Sequence, residues 1–332
     1  MNFDFDDDQR DIRRAARDML AARVRPERLR ELAEAARYDD ELWREMIELG
    51  WPGIAVSEQH GGQGLGLVEL VILQEELGYA LAPAPLLSSA AAALVIEAAG
   101  SQEQRARWLP RLVAGELRAA LAVAPSGSSE LVPDAAQADL LVFVERGRAR
   151  VLEAGQAQIS PVESLDATRR FAAVRDAQEG EALPGDPHPA LWSVAVATAA
   201  ESVGVAQRVM EMAVDYAKER RQFGQPIGVH QAVSHRCAQM LLETESARSA
   251  VLFAAWAGDH EPETLPLAAA SAKAYASDAG WRVAASALQV LGGIGFTWEH
   301  DLHFFFKRAC ANAQLYGSAR QYRDAVATMI CA

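Results

Sequence analysis

The residues best suited to chemistry lie in two strings in the second half of this 332-residue chain. The first is Glu219-Arg220-Arg221-Gln222-Phe223-Gly224-Gln225-Pro226-Ile227. Arginines at the end of a helix, then Gly and Pro, are also ordinary stop signals, because cations suit the negative end of the helix dipole. That reading does not account for the whole nine-residue string joined to Gln231, His235 and Arg248 downstream. The second string is Ala287-Leu288-Gln289-Val290-Leu291-Gly292-Gly293-Ile294-Gly295-Phe296, followed by Thr297-Trp298-Glu299-His300-Asp301. Taken alone, Gly-Gly-x-Gly between helices is a tight connection. Glu299 and Asp301 are placed to cap the following helix, a role that fits better than catalysis. His300 and His303 lack a Cys or a second carboxylate at metal-ligand spacing, so neither zinc nor iron is expected. Asp4, Asp6, Asp7 and Asp8 likewise read as helix caps and dipole partners.

Helices must position both strings. From Asp8 to about Leu117 apolar residues recur at helical spacing, as in Leu42, Trp43, Met46, Ile47 and Leu49, or Val68, Leu70, Val71, Leu73 and Leu77. Between two such helices, Trp51 to Gly66 holds five glycines and predicts a compact loop. From about Arg118 to Pro184 short valine-bearing runs (ALAVA, LLVFVE, RFAAV), broken by Pro, Gly and Ser, predict strands. Gly180 to Pro189 reads as a linker. Long helices then return over Ala190–Arg221, Gln231–Asp259, Leu265–Val290, Trp298–Gln314 and Ala319–Ile330, which implies a bundle. Within the second of these, Val233, Cys237, Met240, Leu241, Thr244, Ala247, Val251 and Ala254 form one stripe, with Cys237 as a core residue. The expected organisation is mainly α with a small β domain: 1–117 helical, 118–187 β, 188–332 helical bundle.

Composition narrows the function classes. The net charge is −13, half the residues are hydrophobic and 23% are charged, so a large core is available and disorder is not expected. The acidic field argues against nucleic acid or membrane surfaces as partners, while leaving room for a local basic pocket that holds phosphate. Cys237, Cys310 and Cys331 form no CxxC pair and are odd in number, so neither a disulfide framework nor a zinc site is expected, and a reducing, cytoplasmic location fits. The acidic start and the prolines and serines near Ala82–Ile96 predict no targeting or membrane-spanning segment.

In this order, and inside a helix–strand–helix chain, the two strings resemble the FAD-dependent acyl-CoA dehydrogenase family. Further matching residues are Gly50-Trp51, Ser57-Glu58 before His60-Gly61-Gly62-Gln63-Gly64, Glu75-Glu76-Leu77-Gly78, and Trp108-Leu109-Pro110 with Gly115. The resemblance covers nearly the whole chain. It implies a helical N-terminal domain, a middle β domain and a C-terminal four-helix bundle, assembled around FAD at a subunit interface. It also implies removal of the α-proton of an acyl-CoA thioester by a carboxylate while the β-hydride passes to the flavin.

Carried over residue by residue, the resemblance places Arg220 on the FAD pyrophosphate and Phe223 near the adenine, with Gln289, Gly292 and Gly293 along the adenosine diphosphate. A guanidinium forks onto phosphate oxygens and an aromatic ring stacks on a purine, so the residue types agree. The remaining family features are eroded. The run Ala122 to Glu130 matches the family's flavin-lining segment only loosely, and Leu131-Val132-Pro133-Asp134-Ala135 leads straight into Ala138-Asp139-Leu140-Leu141-Val142, so the middle domain reads as shortened. Where the family's catalytic glutamate stands, Gln314-Leu315-Tyr316-Gly317-Ser318 offers Tyr316 or Gly317. The alternative base on the first bundle helix would fall near Val194; Leu191 to Ala200 holds no acid, and Glu201 lies two turns away.

The resemblance and its gaps imply a non-catalytic subunit, lending the adenosine side of the FAD site to a catalytic paralogue in a heterotetramer, as in bacterial breakdown of steroid side chains. A self-sufficient homo-oligomer with an unidentified base is the second reading, and a flavin-free helical scaffold the third.

Overall fold

The computed structural model describes residues 4–124, 129–175 and 180–331. Six helices open the chain: α1 (Asp7–Arg23), α2 (Pro26–Glu34), α3 (Asp40–Glu48), α4 (Leu67–Ala80), α5 (Leu86–Ala99) and α6 (Gln102–Val113). Their starts are written locally. Asp6 accepts the amide of Gln9 at 2.8 Å while the Gln9 side chain accepts that of Asp6, a reciprocal cap of the kind the acidic run predicts. Ser101 and Gln104 repeat the device at α6. The glycine-rich loop closes on itself: the amides of Gln63 and Gly64 donate to the carbonyls of Gly53 and Val56 at 2.9 and 2.8 Å.

Among the described residues seven strands follow: β1 (Ala119–Val123), β2 (Ser129–Pro133), β3 (Leu140–Glu145), β4 (Arg148–Glu153), β5 (Gln158–Val162), β6 (Phe171–Arg175) and β7 (Glu181–Leu183). The predicted runs are β1, β3 and β6. The other four were not legible because they are polar or short: β4 is Arg-Ala-Arg-Val-Leu-Glu and β7 has three residues. Pro125 to Ser128, within the loosely matching run, lie outside the described residues. The helical part resumes with α7 (His188–Glu219), a small hairpin β8 (Arg221–Gln222) and β9 (Gln225–Pro226), then α8 (Gln231–His260), α9 (Leu265–Leu291), α10 (Leu302–Asn312) and α11 (Ala319–Cys331).

By its internal contacts the chain divides into two compact units that cut across the three-part division by element type. One comprises Glu27–Leu70 and Pro83–Val194. Within it the strands form a four-stranded sheet ordered β1-β3-β4-β7, with β1 and β3 parallel, and an antiparallel sheet ordered β2-β6-β5. Ala120, Ala122, Leu141, Phe143 and Leu152 of the first sheet and Val132, Ala172 and Val174 of the second share one core. Helix α5, apolar on all sides and buried over most of its length, packs against β1 and β3.

The other unit comprises Met1–Pro26, Val71–Ala82 and Ala195–Ala332, and it contains the helical bundle. Helix α9 is central, touching α8, α10 and α11, and its alanines permit close approach. Two glycines bring α4 and α7 together: a Cβ on Gly204 would lie 1.9 Å from the Glu75 carbonyl, and one on Gly78 would lie 2.1 Å from that of Glu201. Buried Glu75 and Glu76 are paired by Arg13 and Arg17 of α1 and by Arg248 of α8, with Arg248 Nε 3.1 Å from Glu75 Oε1.

Three expectations need correction or refinement. Leu241 is 50% exposed rather than part of the buried α8 stripe, which runs through Met240, Thr244, Ala247, Val251 and Ala254. Asp301, at the N-cap of α10, does not form the predicted side-chain cap; the amide of Leu302 donates to His300 Nδ1 at 3.1 Å, because the turn after the glycines delays the helix to Leu302. Helix α7 is long and apolar enough to cross a membrane, but 78% of its apolar window is buried inside the protein, as suits a core helix.

Candidate cofactor site

At the end of α7 the Arg220 amide still donates to the Tyr216 carbonyl at 2.8 Å, and the Arg220 carbonyl accepts from Ile227 at 2.8 Å, which closes the hairpin base. Arg221 pairs with Pro226 and Gln222 with Gln225, leaving Phe223 and Gly224 as a two-residue loop. Both have positive φ, +53° and +82°. This is the geometry of a primed turn, whose first position favours Asn, Asp or Gly. A phenylalanine there carries the Cβ strain of the left-handed region, about 1–2 kcal/mol. It is also 94% exposed. Neither burial nor local conformation accounts for a phenyl ring at this tip. Arg220 and Arg221 are exposed too, and neither is held in an ion pair among the described residues.

The glycine string ends α9. Gly292 has φ +63° and ψ −136°, a conformation open essentially to glycine. A Cβ at Gly292 or Gly293 would meet nothing within 4 Å, whereas one at Gly295 would lie 3.0 Å from Leu291. The first two glycines therefore leave open space beside bare backbone, and the third serves packing. Gln289 is exposed on the last turn of α9. Phe296 and Trp298 beyond it are 72% and 71% exposed, with Lys307 Nζ 4.5 Å from the Trp298 ring centre. The hairpin and the glycine turn sit at the ends of two different helices, α7 and α9.

These residues fit the adenosine diphosphate part of FAD. They present an unpaired guanidinium for phosphate oxygens, an uncovered aromatic face for a purine, and backbone that can be approached closely. When bound, the flavin would supply the hydride acceptor.

The positions where the family resemblance places the base hold no carboxylate. Tyr316 has φ +55° and Gly317 φ +119°, in a turn where the Tyr322 hydroxyl donates to the Tyr316 carbonyl at 2.8 Å. Glu201 is 2% exposed, with Oε1 2.5 Å from Nη1 of Arg308, itself 1% exposed. That carboxylate is thus shielded from solvent and held by a cation. Arg308 was missed in the sequence because it sits in an apolar run and signals nothing alone. Lys273 was missed as well. It is fully buried, and Nζ donates to the Asn312 carbonyl at 2.6 Å and to Ser277 Oγ at 3.1 Å, tethering the end of α10 just before the Tyr316 turn. A lone lysine in the alanine-rich run of α9 was the available signal. Burial raises the Cys237 and Cys310 thiols above their usual range, so neither is an activated nucleophile. No metal-holding group of His, Cys, Asp and Glu occurs among the described residues.

Known proteins place the chain. Models of the acyl-CoA dehydrogenase N-terminal and C-terminal domains match residues 6–116 and 191–330. The chain belongs to the acyl-CoA dehydrogenase family of oxidoreductases, whose cofactor is FAD. It is 37% identical over 312 residues to acyl-CoA dehydrogenase IpdE2 of Mycobacterium tuberculosis, covering 93% of each chain. Among solved structures it is similar to the Tcur3481-Tcur3483 steroid ACAD G363A variant (TM-score 0.89, 28% identity, 98% of each chain). It shares the fold of the ChsE4-ChsE5 complex from Mycobacterium tuberculosis (TM-score 0.91, 24% identity, 100% of this chain and 99% of that one).

Proposed function

We propose that this chain is the base-less subunit of a heteromeric acyl-CoA dehydrogenase. In this reading Arg220, Phe223, Gln289, Gly292 and Gly293 complete the adenosine side of an FAD held by a paralogous partner, which provides the ring wall and the catalytic carboxylate. The observation that carries it is an asymmetry: Arg220, Phe223, Gln289 and Gly293 are exposed, whereas the base positions are Tyr316 and Gly317 and the nearest helix acid, Glu201, is locked to Arg308. The matched family segments stop at residue 116 and resume at 191, so the β section, where the ring wall belongs, lies between them. A dimer of unlike but homologous subunits keeps the pseudo-two-fold geometry and needs one working pocket per pair. The paired name of the Tcur3481-Tcur3483 steroid ACAD supports unlike subunits, and it supports a coenzyme A thioester of a steroid-derived acid as substrate class.

The test is co-expression with a neighbouring-gene paralogue, reading flavin absorbance, subunit ratio and dehydrogenation against this chain alone. The complex should be yellow and active, and the chain alone colourless and inactive. Stoichiometric FAD and acyl-CoA dehydrogenation by the chain alone would overturn the proposal.

A further inference from the structure

Strands β3 and β4 are joined by a second two-residue turn, Arg146-Gly147, with φ +50° and +74°. As at Phe223, a bulky residue stands where Asn, Asp or Gly is favoured, so the chain tolerates local strain to present a chosen side chain. The strand register puts Arg150 opposite Phe143 and Arg148 opposite Glu145, all on the face of the four-stranded sheet that carries the shared core. The partner of Arg150 on β7 is Ala182, and Gly180 precedes it by two residues on the same face. These residues are too short to fill the space, and a recess of about 790 Å³ opens there, lined by Phe143, Glu145, Arg146, Arg148, Arg150 and Ala182 among others.

Many arginines elsewhere sit in ion pairs, as in Arg13 and Arg17 on Glu76, Arg28 on Asp39, Arg118 on Asp40, Arg282 on Glu243 and Arg308 on Glu201. Arg146, Arg148 and Arg150 make no ion pair or side-chain hydrogen bond among the described residues. Arg150 is fixed instead by stacking, its guanidinium carbon 4.9 Å from the centre of the buried Phe143 ring. That contact orients the guanidinium while engaging none of its donors. Among the described lining residues Glu145 contributes one negative charge against three positive ones. A protein of net charge −13 thus keeps a net positive, concave and partly preorganised patch. Three forked donors converging on one recess suit an anion with several oxygens spread over two centres, which engages two guanidiniums at once.

We propose that this recess is a binding site for a diphosphate-type anion, held by Arg148 and Arg150 with Arg146 at the rim, separate from the residues assigned above to FAD. The proposal does not depend on the subunit reading, since every residue in it lies in the β section.

The test is calorimetric titration of inorganic pyrophosphate and of adenosine 3′,5′-bisphosphate, the phosphate-bearing end of coenzyme A, into the flavin-loaded protein with any co-purifying subunit. One pyrophosphate should bind per chain. Arg148→Ala should weaken it about tenfold or more, the scale of one charged hydrogen-bonding partner. Arg150→Lys, which keeps the charge and loses the fork, should weaken it less, and affinity should fall with added salt. Arg220→Ala should leave it unchanged. Arg148 is exposed, so its variant should keep the native melting temperature, and that control excludes misfolding. Tighter binding of the nucleotide than of pyrophosphate, lost in Arg148→Ala, would identify a coenzyme A tail as the source; the reverse order would identify a free diphosphate. No binding of either anion, or binding that Arg220→Ala abolishes and Arg148→Ala spares, would overturn the proposal.

Discussion

Glu201 of α7 and Arg308 of α10 form an ion pair in the bundle interior, with Nη1 donating to Oε1 at 2.5 Å and both side chains at most 3% exposed. Removing one member strands a buried charge, which costs about 3–5 kcal/mol. Glu201→Ala should therefore shift the urea midpoint sharply downward, and pairing it with Arg308→Met should recover much of the loss. A catalytic Glu201 would behave in the opposite way: Glu201→Gln would leave the midpoint near native and remove turnover.

The strain at Phe223 yields a second expectation. Phe223→Ala keeps the Cβ in the left-handed region and removes a ring that is 94% exposed, so stability should stay within about 0.5 kcal/mol of native. Flavin retained by the purified complex should drop, because an aromatic face is lost. Unchanged flavin content would count against the adenine assignment. Arg220→Ala should act in the same direction through the pyrophosphate, again with the fold intact.

The two neighbouring glycines separate conformation from ligand approach. Gly292→Ala places a Cβ at φ +63°, ψ −136° and should destabilise the chain by about 1–3 kcal/mol. Gly293 has no positive φ, and a Cβ there meets nothing. Gly293→Ala should thus leave the melting temperature near native and still lower flavin affinity, if cofactor occupies the space. Equal flavin affinity in Gly293→Ala and native protein would show that nothing approaches this backbone.

Much of this was legible from local patterns. The bundle helices ended within a few residues of expectation because apolar periodicity and Gly or Pro stops are local, and the residues proposed for the adenosine side stood in two distinctive strings. What escaped were pairings set by the fold. Arg308, Lys273 and the partner arginines of Glu75 and Glu76 acquire meaning only across helices far apart in sequence. The recess at Arg148 depends on the register of β4 with β7, a three-residue strand with no pattern of its own. The exposure of Phe223 was equally hidden: the string marked the residue, but the turn that holds it outward is a backbone property.

Asp39 gives the chain a pH dependence whose sign can be derived. Burial pushes its carboxyl pKa up, but the Arg28 guanidinium and the amides of Leu42 and Glu41 outweigh that and hold it below its ordinary 3.8. A carboxylate with a depressed native pKa contributes stability that is fully present above its unfolded value and is lost as pH falls through the native one. Asp39→Asn retains an N-cap for α3 but loses the charge partner of Arg28, a loss of up to about 1 kcal/mol for a partly exposed pair. Urea unfolding of native and Asp39→Asn protein should therefore differ by a constant amount from pH 5 to 7. The difference should close below the ordinary carboxylate value, where the native aspartate is protonated as well. A gap that persists at the lowest pH at which both chains still fold would mean that Asp39 acts by shape and not by charge.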